Sequence, residues 1–358
     1  MTTNTKRKES THGYKLVGDS DHDGRRNKTV QNGRYESFVN TLVESNPIMN
    51  DIPIVPGNGI LSHEGARISA LPTPEILDIA EGWSSQSVQF DKYKAVISQF
   101  KMRLDIPEDI LDLHPNKARF RADLEDASGE GFGQGVVNHL IYGTSVGAGN
   151  SSKFDGLGTY RATPDASDPI NVTNGDYATF DAGGTGSTTT SIWLIQPGYR
   201  KVFFITPAND KNNGMKMMDK GEVEVWTNQA EVVGDSSVAK KTRYDVRTEF
   251  QQRLGLVIAD ERAMARIINV PTTRASYTDD SIFEKILQAR MEVFKGPEPV
   301  FMYCNARIRW ILTAINVGRQ NVILDKNNPY NIEMNRINDV YIRPCDALLN
   351  TETAVAAA

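Results

Sequence analysis

The sequence predicts an α+β fold, and three features carry that prediction. Over Tyr244–Asp260 the even positions run Tyr244, Val246, Thr248, Phe250, Gln252, Leu254, Leu256, Ile258, and the odd ones include Asp245, Arg247, Glu249, Gln251 and Arg253. A period of two held for that length is a half-buried antiparallel strand. "SIWLIQPGYRKVFFITP" adds two strand-forming runs split by a Pro-Gly turn. Downstream, "SIFEKILQARM" and "NARIRWILTAINV" place apolar residues at helical spacing.

Composition bounds the function. The chain has 358 residues, enough for a sizeable core and about two domains on length alone. Its 40 basic and 45 acidic residues leave a net charge of −5, which argues against a body built to bind polyanions. Two cysteines, Cys304 and Cys345, show neither a disulfide framework nor zinc spacing and fit a reducing compartment. There is no apolar signal-peptide core and no run of about 18 apolar residues, so no membrane is expected among its partners.

Taken in order, residues 1–46 are polar, with basic residues at Lys6, Arg7, Lys8, Arg25 and Arg26. Such a segment buries little apolar surface alone and is either a solvated tail or an arm that orders on a partner. Pro53, Pro56, Pro72 and Pro74 exclude long helices early on. "SQSVQFDKYKAVISQFKMRLDI" (85–106) reads as strand, so an extended excursion with little core of its own is expected between about 50 and 106. A short helix starts at Pro107 and a longer one spans about 116–142. Residues 144–190 read as a long loop rich in Gly, Ser, Thr, Asn and Asp, of the kind that serves function or lies under a partner. "GEVEVW" is a strand, and the long strand at 244 is expected to continue through "ARIINV".

Asp279, Asp280 and Ser281 offer caps for a helix whose apolar stripe is Ile282, Ile286, Leu287 and Met291. "PVFMYC" is a short buried strand. The next helix has Asn305 as cap and Ile308, Ile311, Leu312 and Ile315 inward. "NVILD" and "NIEMN" bracket a hairpin, and "VYIRPCDALL" closes the fold.

No catalytic constellation emerges. "GEGFGQG" (129–135) lacks glycine at the sixth place of the dinucleotide fingerprint, where Gln134 or Val136 stands, and lacks the Gly-Lys-Ser/Thr of a phosphate loop. Its four glycines weaken a helix, each by about 0.5–1 kcal/mol, so something outside must hold that helix or approach its backbone. "HEGAR" at His63 has Arg67 where a zinc protease needs its second histidine. Cys304 sits in an apolar run, as a structural thiol does, and Glu222 and Glu224 alternate as on a solvated face. No residue set calls for a cofactor or metal, and the chain is expected to act through surfaces rather than as an enzyme.

Three stretches carry a family likeness: "LIYG" followed by "KFDGLGTYR"; "SIWLIQPGYRKVFFITP" through "YDVRTEFQQRLGLVIADERAMARIINV"; and "PVFMYCNARIRWILT" with "NDVYIRPCDALLNTE". Together they resemble the major capsid proteins of short-tailed bacteriophages of the epsilon15 type, over roughly residues 47–355, with "YCN" and "RPCDALLNTE" the most specific. The resemblance implies a Hong Kong 97-type fold. Its parts would be an N-terminal arm at 1–48, an extended E-loop at 49–108, and a peripheral domain with its spine helix at 109–145 and long strand at 243–270. Strands and a loop of the axial domain would fill 146–242, and its helix-strand-helix unit and the C-terminus 271–358.

That family role is a self-assembling icosahedral shell around double-stranded DNA, built as hexamers and pentamers in the host bacterial cytoplasm. It implies a scaffolding protein and a portal as partners and leaves room for a decoration protein. Ile52, Ile54, Val55, Phe90, Tyr93, Gly131 and Gly133 would then meet neighbouring subunits. The basic residues of the N-terminal arm, Lys6, Arg7, Lys8, Arg25 and Arg26, would meet DNA or acidic patches. No residue match assigns Lys92, Lys94 or Lys101 to a cross-link. An encapsulin-like compartment shares this fold and is told apart by protein cargo; a hydrolase using Cys304 or a carboxylate pair would need a solvent-open site.

Overall fold

The computed structural model describes residues 46–70, 72–77, 81–145, 153–161, 178–210, 214–227, 241–277, 281–293, 296, 298–317 and 335–355. The fold is α+β, as expected, and is organised around the strand with the period of two. That strand, β9 (Lys241–Ile258), is 18 residues long. β4 (Ser98–Pro107) runs antiparallel to it from Ser98↔Leu254 to Pro107↔Asp245. Along the opposite edge lie first β8 (Met215–Thr227) and then β7 (Val202–Thr206). β1 (Ile54–Pro56) adds in parallel to β7, completing a 5-stranded sheet.

The parity of β9 is the one read from its residues. Phe250, Leu254, Leu256 and Ile258 all enter the main core, facing the long helix α3 (Lys117–Tyr142). From Gly255 onward both faces are covered, because β7 and the chain near Ile97 close the back with Phe203, Ile205 and Val257.

The second sheet has 6 strands in the order β12 (Arg336–Ile337), β13 (Val340–Pro344), β11 (Val300–Cys304), β6 (Thr189–Ile195), β10 (Met264–Pro271), β5 (Thr179–Asp181). One face adds Trp193, Ile195, Met264 and Tyr303 to the main core, and the other packs under helices α5 (Ser281–Glu292) and α6 (Ala306–Val317). The remaining helices are short: α1 (Ile48–Asp51), α2 (Glu108–Asp112) and α4 (Leu157–Tyr160).

The structure corrects several boundaries. β9 does not continue through "ARIINV": a 3-10 turn at Glu261–Ala263, capped by Asp260 Oδ1 accepting from Arg262 N at 3.0 Å, reverses the chain, and β10 enters the other sheet. Residues 243–270 are thus two strands in two sheets. The Pro197-Gly198 turn divides the chain in the same way, sending β6 to one sheet and β7 to the other. The excursion without its own core is narrower than 49–108, since β1 and β4 are sheet members. It is the hairpin of β2 (Ser62–Ala70) and β3 (Gln89–Val96), which pair only with each other.

On α5 the inward stripe is Ile282, Ile286 and Ala289, followed by Val293, while Leu287 and Met291 are 42% and 72% exposed. Small Ala289 takes the inward place that the sequence pattern gave to its larger neighbours. The stripe of α6 is the expected one, and Asn305 Oδ1 caps it by accepting from Arg307 N at 2.9 Å. The hairpin expected at 321–335 lies outside the described residues except for Asn335.

The most family-like motifs are stitches within the subunit. Tyr303 of "YCN" donates to Asp51 Oδ2 at 3.0 Å, and Arg343 of "RPCDALLNTE" lies 3.4 Å from the same carboxylate. Asn305 donates to Leu348 O at 2.7 Å. The motif's last residue, Glu352, is a clasp. Its carboxylate accepts from Ser191 Oγ at 2.6 Å and from the Tyr142 hydroxyl, and it pairs with Arg266 at 3.5 Å. The Arg266 guanidinium also stacks over Trp193 at 5.0 Å and donates to Arg161 O at 2.8 Å. Burial, and after it the neighbouring carboxylate, holds the Tyr142 hydroxyl well above the usual phenol range. One buried group therefore ties the end of α3, β6, β10 and the C-terminal segment together. Asn269, left-handed at φ 54° in the bulge of β10, continues the clasp by exchanging hydrogen bonds of 2.9 and 2.8 Å with Val355.

Glu352→Ala would leave Arg266 buried without its carboxylate. The expected cost is about 3 kcal/mol, read by urea denaturation of the subunit; a loss within error of zero would show that the clasp does not hold the C-terminal segment and α3 on the second sheet.

Candidate assembly surfaces

Two surfaces stand out once the core is accounted for. The first is the β2–β3 hairpin. Its root is anchored: Tyr93, Ala95 and Val55 pack on Ile97, Phe203, Ile205 and Val257. The Tyr93 ring lies across Gly65, so a side chain there would have to displace the ring from the hairpin root. Asn58 locks the strand start by donating to Glu64 O at 2.6 Å and accepting from Glu64 N at 2.9 Å. Beyond the root the hairpin leaves the body. Phe90 is 62% exposed, Trp83 84% and Ile76 fully so. Lys92 and Lys94 are partnered across the hairpin by Ala66 and Glu64, with Lys94 Nζ 3.6 Å from the Glu64 carboxylate.

The second surface is the outer face of α3. Its inner face buries Glu125, Gly129, Phe132, Gly133, Val136, Val137, Leu140 and Ile141. Glu125 Oε1 accepts there from Arg121 Nε at 2.9 Å and from Thr248 Oγ1 at 2.8 Å, and Arg121 pairs with Asp219 of β8 at 2.8 Å, fixing the helix to the sheet. The outer face carries Asp123, Ala127, Glu130, Gly131 and Gly135, and a Cβ added at Gly131 or Gly135 would meet nothing within 4 Å. Within the subunit these two glycines answer no packing need, and the strip is flat and open.

The expected contact residues therefore divide. Ile52 is fully buried in the chain's own core, Ile54 packs against that core, and Val55 and Tyr93 serve the hairpin root. Gly133 faces inward. Phe90 and Gly131 are left open to a neighbour. The correction has a simple cause: β1 pairs with β7, which draws its apolar side chains onto the subunit's own sheet. Lys6, Arg7, Lys8, Arg25 and Arg26 lie outside the described residues. Sequence reasoning missed Trp83 and Ile76, which sit in a stretch with no periodicity, and the Glu352–Arg266 clasp, whose partners lie far apart in the chain.

The thiols are structural. Cys304 belongs to the core under α5 and α6 and Cys345 to the main core. Burial pushes Cys304 up to about 12 and Cys345 up to about 11. Among the described residues no group of His, Cys, Asp and Glu could hold a metal ion, and no helix is long and apolar enough to cross a membrane.

Among the described residues, the β2–β3 hairpin has no core of its own beyond its root and the outer face of α3 has no cover. Residues 30–356 match the sequence profile of the family described as major capsid protein GP7. The chain belongs to that family. It is a major capsid protein, a unit of the homo-oligomeric shell of a phage virion, and the family is a structural one. Its fold is also that of the bacteriophage epsilon15 capsid structure, with a TM-score of 0.63 and 22% identity over 85% of this chain and 88% of that one. A chain of the bacteriophage JBD30 procapsid aligns at a TM-score of 0.42 and 12% identity, over 90% of this chain and 98% of that one. No curated protein matches the sequence.

A thiol-reactive disulfide reagent at pH 8 is expected to titrate neither cysteine of the native subunit and both after denaturation. Rapid reaction of one thiol in native protein would contradict the placement of Cys304 and Cys345.

Proposed function

We propose that this capsid protein closes an icosahedral shell of pentamers and hexamers around double-stranded DNA of a tailed bacteriophage, and that the β2–β3 hairpin of one copy lies across α3 of the next. The observation that carries the contact is the pairing of two unmet needs. The hairpin offers Phe90, 62% exposed, and α3 offers a strip at Ala127, Gly131 and Gly135 that stands open among the described residues. Missing side chains let a neighbour's backbone approach, and the neighbour in turn supports a glycine-weakened helix.

Such a contact joins two different surfaces, so it is heterologous and propagates around a ring. Each contact can be weak because many act together. Lys92 on the hairpin faces Glu130 on the acidic flank of the strip in this arrangement. A scaffolding protein, a portal and a decoration protein, together with assembly in the bacterial cytoplasm, belong to the same reading. So does an N-terminal arm that uses Lys6–Lys8, Arg25 and Arg26 on DNA or on acidic patches between subunits.

Gly131→Leu separates folding from assembly by sign. In the isolated subunit it fills open space and removes a helix-weakening glycine, so stability should rise by about 0.5–1 kcal/mol. In the shell it should block closure, read as loss of sedimenting particles under the electron microscope. Normal shells from this variant would sink the proposed contact.

A further inference from the structure

The passage from β1 into the hairpin is closed by a side chain that pairs as a strand would. Asn58 Nδ2 donates to Glu64 O at 2.6 Å, and Asn58 Oδ1 accepts from Glu64 N at 2.9 Å, so one carboxamide engages both peptide groups of Glu64. The chain on either side is pinned. Gly57 N donates to Thr206 O at 2.8 Å, and Ile97 N donates to Leu61 O at 2.9 Å. Between these pins Gly59 O accepts from Ala208 N at 3.4 Å, while Gly59 N has no acceptor among the described residues. Asn58 itself is exposed to water.

An asparagine followed by glycine invites attack by the next peptide nitrogen on the side-chain carboxamide, because glycine has no Cβ to hinder the approach. We infer that Asn58–Gly59 is a self-modification site, held unreactive while Asn58 is paired with Glu64, and that reaction there undoes the pairing for good. In the first step Gly59 N forms a bond to Asn58 Cγ and the Cγ–Nδ2 bond breaks. Nδ2 leaves as ammonia, taking the proton that Gly59 N gives up, and the product is a succinimide ring. Water then opens the ring. If its hydroxyl adds at Cγ, the Cγ–N bond breaks and residue 58 becomes aspartate. If it adds at the main-chain carbonyl carbon, that C–N bond breaks and the chain runs on through Cγ as isoaspartate. In both cases the nitrogen regains a proton and no oxidant or reductant is consumed.

The pairing with Glu64 gates this chemistry. Ring closure draws Cγ to Gly59 N and makes it tetrahedral on the way, and Nδ2 has to depart. Both motions break the bonds to Glu64, so the closed root opposes the reaction and local opening permits it. Neither product restores the pair. Aspartate sets a carboxylate oxygen against Glu64 O where Nδ2 had donated, leaving two acceptors face to face. Isoaspartate lengthens the main chain by one carbon between the pins at Gly57 and Leu61. The hairpin root is loosened within the subunit itself, whether or not the hairpin meets a neighbour. A subunit that waits with its root open is thereby marked, and one that stays closed keeps its hairpin in place.

The test follows the full chain at pH 8 by peptide mass spectrometry. The Asn58 peptide should gain one mass unit, with isoaspartate among the products, at least tenfold more slowly in the native subunit than in the same chain held in guanidinium chloride. Glu64→Pro removes the N–H that Asn58 Oδ1 accepts from, at a position whose N–H goes to a side chain, and should raise the native rate at least fivefold. Asn58→Gln keeps the carboxamide but must close a larger ring, and should show no gain. Asn58→Asp makes one product directly and should speed amide exchange at 62–65 and 93–97 at least fivefold; this arm needs no Glu64 variant to fold. No gain in guanidinium chloride overturns the site, and equal rates in native and denatured chain overturn the gating. Unchanged exchange in Asn58→Asp overturns the loosening of the root.

Discussion

The subunit depends on the two edges and two faces of β9. Its edges hold β4 on one side and β8 then β7 on the other, so every strand of the first sheet except β1 is bonded to it directly. Its even face buries Phe250, Leu254, Leu256 and Ile258 under α3, and Thr248 on that face receives the Glu125–Arg121 link that stops the helix sliding. Because α3 is committed inward through Phe132, Val136, Val137 and Leu140, its glycines at 131 and 135 are presented outward. The chain just before β4 pairs only with itself, as the β2–β3 hairpin. The surfaces proposed to meet neighbours are those that the β9 core leaves open among the described residues.

The second sheet is attached to this core twice over. Its lower face shares the main core through Trp193, Ile195, Met264 and Tyr303, and the Glu352 clasp adds a polar tie between α3, β6 and β10. A buried carboxylate with a buried guanidinium is no strong source of net stability, since desolvation offsets most of the attraction. Its effect here is on geometry: removing either partner strands the other, which penalises any packing in which the end of α3 shifts on the second sheet. For a subunit that must present matching surfaces to several neighbours at once, a fixed relation between its halves matters more than a few kcal/mol of stability.

Much of the fold was legible. β9, α3 and the inward stripe of α6 follow from period and capping, because each buries one face in a regular pattern. The failures share a cause in tertiary context. β9 and β10 look continuous because both alternate, and only the capped turn at Asp260 and the change of sheet separate them. Leu287 and Met291 look like core because they are apolar, yet Ala289 and Val293 set the helix rotation. Ile52 and Val55 look like arm residues because prolines surround them, yet β7 offers an edge. The open side of α3 was half legible: four glycines announce that something other than side-chain packing governs "GEGFGQG", but which of them face outward depends on the helix phase. The exposure of Trp83 and Ile76 was not legible, because nothing in a non-periodic stretch distinguishes an exposed tryptophan from a buried one.

The central claim is that the hairpin and the outer face of α3 complete each other only between copies. Amide hydrogen exchange of unassembled subunits and of closed shells, compared segment by segment, addresses it most directly. Strong protection gained on assembly at 62–96 and 110–135, with β6, β10 and β11 unchanged, is the predicted result. Equal exchange of the hairpin in both states would show that it meets no neighbour, and would contradict the account.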